Sequence, residues 1–94
     1  MRILVWSAAF IRVVRRAAKR QPDLLLKVEH ALQQLSEDPF HPTLHSHKLK
    51  GELAGVWACT VDYDNRILYE FVQNPESGEE EIHLLTMGTH DEVY

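Results

Sequence analysis

The stretch His47–Tyr69 constrains the fold most, because it predicts two antiparallel strands joined by a tight turn. Between Glu52 and Tyr63 the more apolar residues occupy every second position, which is the period of a strand with one buried face. Asp64 and Asn65 are residue types that tolerate positive φ and are typical of hairpin turns. The segment Arg66–Val72 predicts the returning strand. The rest of the chain must then cover one face of this hairpin and leave the other open to a partner.

The N-terminal part of the chain predicts a strand followed by two helices. Residues 2–6 form a short β-rich run, and Ser7 after it is a good helix N-cap. Apolar residues then recur at helical spacing in two stretches, and Pro22 between them ends the first helix and can begin the second. The predicted apolar stripes are Phe10, Val13, Val14, Ala17 and Ala18 in the first helix, and Leu24, Leu25, Val28, Ala31, Leu32 and Leu35 in the second.

The remaining segments complete an α+β pattern. Residues 40–46 predict a loop leading into the hairpin, residues 73–80 a polar loop, and residues 81–87 a last strand. The predicted order is β-α-α-β-β-β, in which a two-helix hairpin packs on one face of a small antiparallel sheet. We expect residues 1–94 to form a single domain. The first strand must join one of the last three, and the sequence does not indicate which edge.

Basic side chains are concentrated near the N-terminus. The first 20 residues carry six basic and no acidic side chains, whereas the other 74 carry four basic and fourteen acidic ones, for a net charge of −4. The first helix presents Arg12, Arg15, Arg16 and Lys19 on the side opposite its apolar stripe. Such a face is typical of phosphate binding and equally of an ordinary solvated helix.

The sequence also predicts a cytoplasmic protein. The single Cys59 lies at an apolar strand position, which indicates a buried and unreactive thiol. No apolar run approaches the roughly 20 residues that span a bilayer, and the N-terminal apolar run is too short for a signal peptide. We therefore expect no contact with a membrane.

Three groups of polar side chains are candidates for chemistry, one at each end of the predicted hairpin and one at the C-terminus. They are His47 with Lys48 and Lys50, Asp64 with Arg66, and His90 with Tyr94. A guanidinium at the start of the returning strand is suited to holding a phosphate bidentately. If the tail forms one helical turn, His90 and Tyr94 lie on the same face, although local sequence alone favours a frayed terminus.

A metal site is not expected. His41, His45 and His47 lie within seven residues, but their spacing fits no standard structural zinc pattern. No second cluster of Cys, Asp or Glu closes such a site. We therefore expect neither a metal nor another cofactor, and local sequence alone leaves His47 equally consistent with an ordinary surface histidine.

Three motifs, in this order, resemble the RelE/ParE superfamily of type II toxin–antitoxin toxins, and within it the YafQ-like ribonuclease branch. They are H-K-L-K-G-E-L-A-G at 47–55, D-N-R-I-L-Y at 64–69 and G-T-H-D-E-V-Y at 88–94. The resemblance covers essentially the whole chain. It implies a ribosome-dependent endoribonuclease that cuts mRNA without a metal, by attack of a ribose 2′-hydroxyl on its own 3′-phosphate. It also implies a cognate antitoxin protein that wraps and neutralises the toxin.

The resemblance implies roles for individual residues. The positions that match the family's catalytic histidines, acidic residue and terminal aromatic are His47, His90, Asp64 and Tyr94. Two positions depart from the branch, since Thr60 stands where it can carry a histidine and Thr86 where it can carry an arginine. Phosphate binding is then left to Arg66, Lys48 or Lys50. The basic helix face is expected to contact ribosomal RNA.

Two other functions stay open at this point. A ParE-like toxin that poisons DNA gyrase shares the fold and needs no nuclease residues. A catalytically weakened module that only binds an antitoxin fits the net acidic charge and the two threonines. An open sheet face with unpaired edges further predicts some self-association, with a homodimer as its simplest form.

Overall fold

The computed structural model describes residues 1–93, so the predicted site residue Tyr94 lies outside the described residues. The strands are β1 (Ile3–Trp6), β2 (His47–Lys48), β3 (Trp57–Thr60), β4 (Asn65–Gln73) and β5 (Glu80–Thr89), and the helices are α1 (Ala8–Arg20), α2 (Pro22–Glu37) and α3 (His90–Val93). Two short 3₁₀ turns, Pro42–Leu44 and Gly51–Leu53, interrupt the connections. In this part of the chain no helix is both long and apolar enough to cross a membrane.

One sheet with the strand order β1-β5-β4-β3-β2 forms the framework. β1 runs parallel to β5, and each of the other neighbouring pairs is antiparallel. The helical hairpin of α1 and α2 packs on one face, which confirms the predicted α+β architecture. Pairing with β5 also answers the open question of where the first strand belongs.

Local sequence signals explain the two long helices. The Ser7 hydroxyl accepts a hydrogen bond of 3.0 Å from the Phe10 N–H, as expected of an N-cap, and Pro22 occupies the first turn of α2. The predicted apolar stripes enter the core except at Ala18, which is half-buried and lies outside the core cluster, and at Leu25. Leu25 is 37% exposed, because it lies about 100° around the helix from Leu24 and outside the arc that faces the sheet. The stripe of α2 is therefore narrower than predicted.

The core lies between the helices and one face of the sheet. Its buried strand residues are Cys59, Ile67, Tyr69, Ile82, Leu84 and Met87, packed against helix residues that include Phe10, Val28 and Leu35. Burial raises the pKa of the Cys59 thiol to about 12, although the Ile67 backbone and Arg66 oppose this effect. This thiol stays protonated at neutral pH, as expected of a buried and unreactive cysteine.

The predicted continuous strand from His47 to Tyr63 was wrong. Gly51 and Gly55 adopt φ values of 71° and 92°, a conformation that glycine allows at no steric cost, and the chain reverses between β2 and β3. A hydrogen bond of 2.9 Å from the Leu49 N–H to the Val56 carbonyl closes this reversal. The alternating pattern in this segment is typical of a strand, but its small residues are equally compatible with a tight loop.

The turn between β3 and β4 also differs from its prediction. Neither Asp64 nor Asn65 has a positive φ, and within residues 1–93 His45 is the one non-glycine residue that does. Instead, Asp62 Oδ1 accepts hydrogen bonds from the backbone N–H groups of Asp64 (3.0 Å) and Asn65 (2.8 Å). A side chain that replaces a backbone acceptor in this way forms an Asx turn, which needs no left-handed residue.

Candidate functional site

The candidate site lies on the sheet face opposite α1 and α2, where β4 begins and β5 ends. Residues paired across neighbouring strands share a face, and successive residues alternate between faces. Because Cys59 and Ile67 point into the core, their neighbours Thr60 and Arg66 point away from it, and they pair with each other. His47 lies on the same open face, opposite Ala58 in the β2–β3 register.

A cavity of about 420 Å³ brings three separate segments together on this face. Its lining residues are His45, His47, Thr60, Asp62, Tyr63, Arg66 and His90. A neighbouring cavity of about 270 Å³ is lined by Tyr63, Asp64, Arg66, Thr89, His90 and Asp91. The side chains common to both cavities are those of Tyr63, Arg66 and His90. The two cavities therefore form one surface depression, with a guanidinium and an imidazole at its centre.

Arg66 supports the turn beside the cavity and also lines it. Its Nη1 donates hydrogen bonds to the backbone carbonyls of Asp62 (2.7 Å), Tyr63 (3.1 Å) and Asn65 (3.1 Å). No hydrogen bond from its Nε or Nη2 occurs within the described part of the chain. One edge of the guanidinium is thus held by the protein, while the remaining donors are available to an anion.

Asp62 is a site residue that the sequence interpretation missed. Burial tends to raise the pKa of its carboxyl group, but hydrogen bonds from Asn65 and Asp64 and the charge of Lys27 lower the pKa below its usual value. The Lys27 ammonium lies 3.7 Å from Asp62 Oδ2 and links α2 to the turn. The signal was present in D-Y-D-N, since an Asp whose side-chain oxygen accepts hydrogen bonds from the N–H groups two and three residues later is typical of an Asx turn.

His47 has a defined ring orientation. Its Nδ1 lies 3.0 Å from the backbone carbonyl oxygen of His45, and a carbonyl only accepts, so Nδ1 carries the proton. In the neutral ring, Nε2 then carries the lone pair, as a proton acceptor requires. His45 takes the left-handed conformation, with φ of 48°, and this directs its carbonyl toward His47. His45 itself was not predicted to belong to this site.

The C-terminal tail is fixed by a capping box. The Thr89 N–H donates to Glu92 Oε1 (2.8 Å), and the Glu92 N–H donates to Thr89 Oγ1 (3.3 Å). This reciprocal pair begins α3 at His90, and T-x-x-E is its sequence signature. In addition, the His90 N–H donates to the Asp64 carbonyl at 3.2 Å. The residues up to Val93 therefore form a docked helical turn, and Asp64 contacts His90 through its backbone.

Gly88 allows this docking. A Cβ atom at this position would lie 3.0 Å from Val93 Cγ1 and 3.2 Å from the Glu92 Cβ. Both distances are shorter than ordinary van der Waals contact, so a side chain here would require Val93 and Glu92 to shift by a few tenths of an ångström. The glycine of the G-T-H motif is thus explained by the close approach of the tail.

The predicted lysines do not join this cavity. Lys48 follows His47 in β2 and so points to the opposite face, where its Nζ lies 5.5 Å from the Trp57 ring centroid. Lys50 is exposed beyond the end of β2 and lines neither cavity. No group of three His, Cys, Asp or Glu side chains within residues 1–93 is arranged to hold a metal ion.

The predicted basic face is exposed on α1, on the helical side of the sheet. Its residues are Arg12, Arg15, Arg16 and Lys19. Arg16 also lines a cleft of about 360 Å³ together with Gly88 and Thr89. This cleft therefore connects the basic surface of α1 with the end of β5, which precedes His90.

Comparisons with solved structures give the same fold. The chain matches YafQ from E. coli strain BL21(DE3) with a TM-score of 0.79 and 20% identity, over 100% of this chain and 99% of that one. The E. coli DinJ–YafQ complex matches with a TM-score of 0.77 and 20% identity, over 100% and 99% of the two chains. The YoeB/ParE toxin from Agrobacterium tumefaciens matches with a TM-score of 0.77 and 18% identity, over 94% and 98%. At these identities the likeness establishes the fold.

The family assignment comes from the sequence itself. No curated protein sequence matches this chain significantly. The family described as "Bacterial toxin of type II toxin-antitoxin system, YafQ" matches residues 2–94, which is nearly the whole chain. This chain therefore belongs to the YafQ family of toxins of bacterial type II toxin–antitoxin systems.

Proposed function

We propose that this toxin is an endoribonuclease that cuts mRNA on the ribosome, with its active site at the cavity between His47, Arg66 and His90. A base removes the proton of a ribose 2′-hydroxyl, and the resulting oxygen attacks the adjacent phosphorus. The bond to the 5′-oxygen of the next nucleotide breaks, and an acid protonates that oxygen. The products are a 2′,3′-cyclic phosphate and a 5′-hydroxyl, and this reaction needs no metal or other cofactor.

The convergence of the His47 and His90 imidazoles with the Arg66 guanidinium on one open cavity, which His45 also lines, is the observation that carries this proposal. Histidine is suited to both proton transfers at neutral pH, because its ordinary pKa lies near the operating pH. His47 in β2 and His90 in α3 come from different segments that line the same cavity, so each can serve one of the two proton transfers. Tyr94, which follows α3, is assigned to stacking on or orienting a base.

Phosphate binding is assigned first to Arg66. The charge that develops on the phosphate oxygens in the transition state needs fixed positive charge or hydrogen-bond donors. Arg66 lines both cavities and is held from one side by three backbone carbonyls, so it is already in position before substrate binds. Lys48 and Lys50 lie outside these cavities, which makes them candidates for contacts farther along the RNA. Asp64 is assigned to holding the His90 segment in place.

The proposed partners are a cognate antitoxin, the ribosome and mRNA. The antitoxin assignment is supported by family membership and by the solved complexes of E. coli YafQ with DinJ and of Staphylococcus aureus YoeB with YefM. A homodimer is a further candidate, and a YoeB dimer from Staphylococcus aureus is among the structures with this fold. For the ribosome, the exposed α1 residues Arg12, Arg15, Arg16 and Lys19 supply the positive charge that RNA phosphates attract.

His90→Ala tests the assignment. We expect induction of the wild-type toxin alone to arrest growth and His90→Ala to abolish the arrest, because loss of a general acid or base costs about 10²- to 10⁴-fold in rate. Binding of the purified variant to its antitoxin should be unchanged. His30→Ala is the matched control, since His30 is exposed on α2 and lines neither cavity. A fully toxic His90→Ala variant would overturn the proposal.

Primer extension on mRNA from induced cells separates this function from gyrase poisoning. We expect transcripts cut at discrete positions and intact DNA. Uncut transcripts together with broken DNA would identify a gyrase poison. If the protein induced without its neighbouring antitoxin gene causes neither growth arrest nor cleavage, the chain is a binding module only.

A further inference from the structure

Tyr63 is the aromatic side chain in the depression that the proposed mechanism does not use. It is 92% exposed, yet it lines both cavities together with Arg66 and His90. Two other exposed aromatic residues pack on neighbours, since Phe40 contacts Trp57 and Trp6 contacts Phe10. No ring contact or side-chain hydrogen bond of Tyr63 occurs within residues 1–93. A single exposed aromatic residue is common on protein surfaces, but this ring lines the cavity that is proposed to bind RNA, where it is placed to contact the substrate.

The backbone under this ring is fixed from both sides. The carboxylate of Asp62 holds the N–H groups of the next two turn residues, and the Tyr63 carbonyl accepts a hydrogen bond of 3.1 Å from Arg66 Nη1. The ring therefore extends from a rigid turn, and only its two side-chain torsions have to be ordered on binding. Such an anchor binds a flat partner at low entropic cost.

The charges around the ring indicate what that partner is. Tyr63 stands between Asp62 and Asp64, and the exposed carboxylate of Asp64 repels a phosphate. The positive charge lies at the centre of the depression, at Arg66, whose Nη1 donates to the Tyr63 carbonyl. An RNA strand that places its phosphate at Arg66 must therefore place an uncharged part, the base, beside Tyr63. Aromatic side chains accept any base in this way, because every base has a π-face.

We propose that Tyr63 is a stacking platform for a nucleobase next to the phosphate that is cut. This assignment rests on the proposed ribonuclease function and adds a substrate-binding residue to it. The platform orients the strand so that the 2′-hydroxyl and the phosphate reach the histidines, a contribution of binding energy to positioning. Purines stack more strongly than pyrimidines, so this contact also favours cleavage beside a purine.

Cleavage of mRNA on programmed ribosomes tests this inference, with kcat/KM measured for four substitutions of Tyr63. We expect Tyr63→Ala and Tyr63→Leu to lower kcat/KM by roughly 5- to 150-fold, the value of one base–aromatic stack. Tyr63→Phe and Tyr63→Trp should retain most of the activity, because the stack needs a flat π-system rather than the hydroxyl or simple bulk. Leu26→Ala is the control, since it truncates another exposed apolar side chain that lines neither cavity.

The outcomes separate this inference from the function on which it rests. If the wild-type toxin cuts mRNA and Tyr63→Ala cuts it equally well, the stacking assignment is wrong and the ribonuclease function stands. If the wild type cuts nothing, both fail. If Tyr63→Ala weakens antitoxin binding and leaves cleavage unchanged, the ring is a protein contact, which also overturns the assignment. Urea unfolding of each variant shows that a loss of activity does not come from unfolding.

Discussion

Asp62 fixes the turn on which the candidate site is built, although its carboxylate has no part in the proposed chemistry. Its Oδ1 accepts hydrogen bonds from two backbone N–H groups and from Asn65 Nδ2, and the resulting turn is the one that Arg66 contacts on its other side. A neutral acceptor makes the same contacts with less strength than an anion does. The charge of this side chain is therefore a contribution to stability that depends on pH.

We predict that Asp62→Asn lowers the free energy of unfolding by about 1 kcal/mol at pH 7. The pKa of Asp62 is lowered in the folded protein, so its stabilisation is present above the unfolded-state pKa of about 4 and is lost as the pH falls through the folded-state pKa. Urea unfolding at pH 7 and at pH 3 should show the gap between wild type and variant closing in acid. Glu76→Gln, in the exposed loop before β5, is the control, and an equal gap at both pH values would contradict the prediction.

The histidine–lysine pair at the start of the hairpin shows what residue-level reasoning can supply and what it overlooked. His47 was selected as a candidate, and it does line the cavity. Lys48 was grouped with it because the two are adjacent in sequence, but the side chains of adjacent residues in a strand point to opposite faces. The alternation rule alone would have separated them. The left-handed His45, in contrast, had no local signal that distinguishes it from a loop residue.

At the scale of elements, the close approach of the short helix α3 to β5 depends on Gly88. Gly88 and Gly78 provide a pair of substitutions with opposite expected effects. Alanine at Gly88 crowds Val93 and Glu92, whereas alanine at Gly78 meets no atom within 4 Å but must adopt a φ of 74°. A left-handed conformation costs a residue with a Cβ atom about 1 kcal/mol. Gly88→Ala is therefore expected to affect the placement of His90, whereas Gly78→Ala is expected to affect stability alone.

We predict that Gly88→Ala sharply reduces growth arrest upon induction and changes the free energy of unfolding by less than about 1 kcal/mol, since only a terminal turn is displaced. Gly78→Ala should instead lower the free energy of unfolding by about 1 kcal/mol and leave growth arrest intact. Growth curves and urea unfolding of both variants measure the two effects. If Gly88→Ala stays fully toxic, close docking of α3 is unnecessary for the proposed function.

The elements that sequence reasoning located well are those with local causes. Ser7 and Pro22 determine helix boundaries through their own hydrogen bonds and ring geometry, so the helical hairpin was predictable. The broken strand between β2 and β3 was not, because G-E-L-A-G satisfies both a strand alternation and a glycine-bounded loop. The pairing of β1 with β5 joins Ile3 to Glu81 from opposite ends of the chain, and no local pattern encodes such a contact.

At the scale of the whole molecule, the charge asymmetry is divided between two sides of the sheet. The basic side chains of α1 lie on the helical side, and the depression with the histidines lies on the other. The two surfaces approach each other at the end of β5, where Arg16 lines a cleft with Thr89. The proposed binding of ribosomal RNA along α1 would therefore leave the opposite face, with the histidines, uncovered.

We predict that the double variant Arg12→Gln/Arg15→Gln weakens ribosome binding in a salt-dependent manner. Each phosphate contact contributes about 0.7 to 0.9 to the slope of log K against log salt concentration, so the slope should fall by roughly 1.4 to 1.8. Co-sedimentation with ribosomes at salt concentrations from about 50 to about 200 mM measures this slope. Lys48→Gln/Lys50→Gln removes the same charge from the region of β2 and should change the slope less. Equal slopes for the two double variants would mean that net charge governs ribosome binding, and that the α1 face has no particular role.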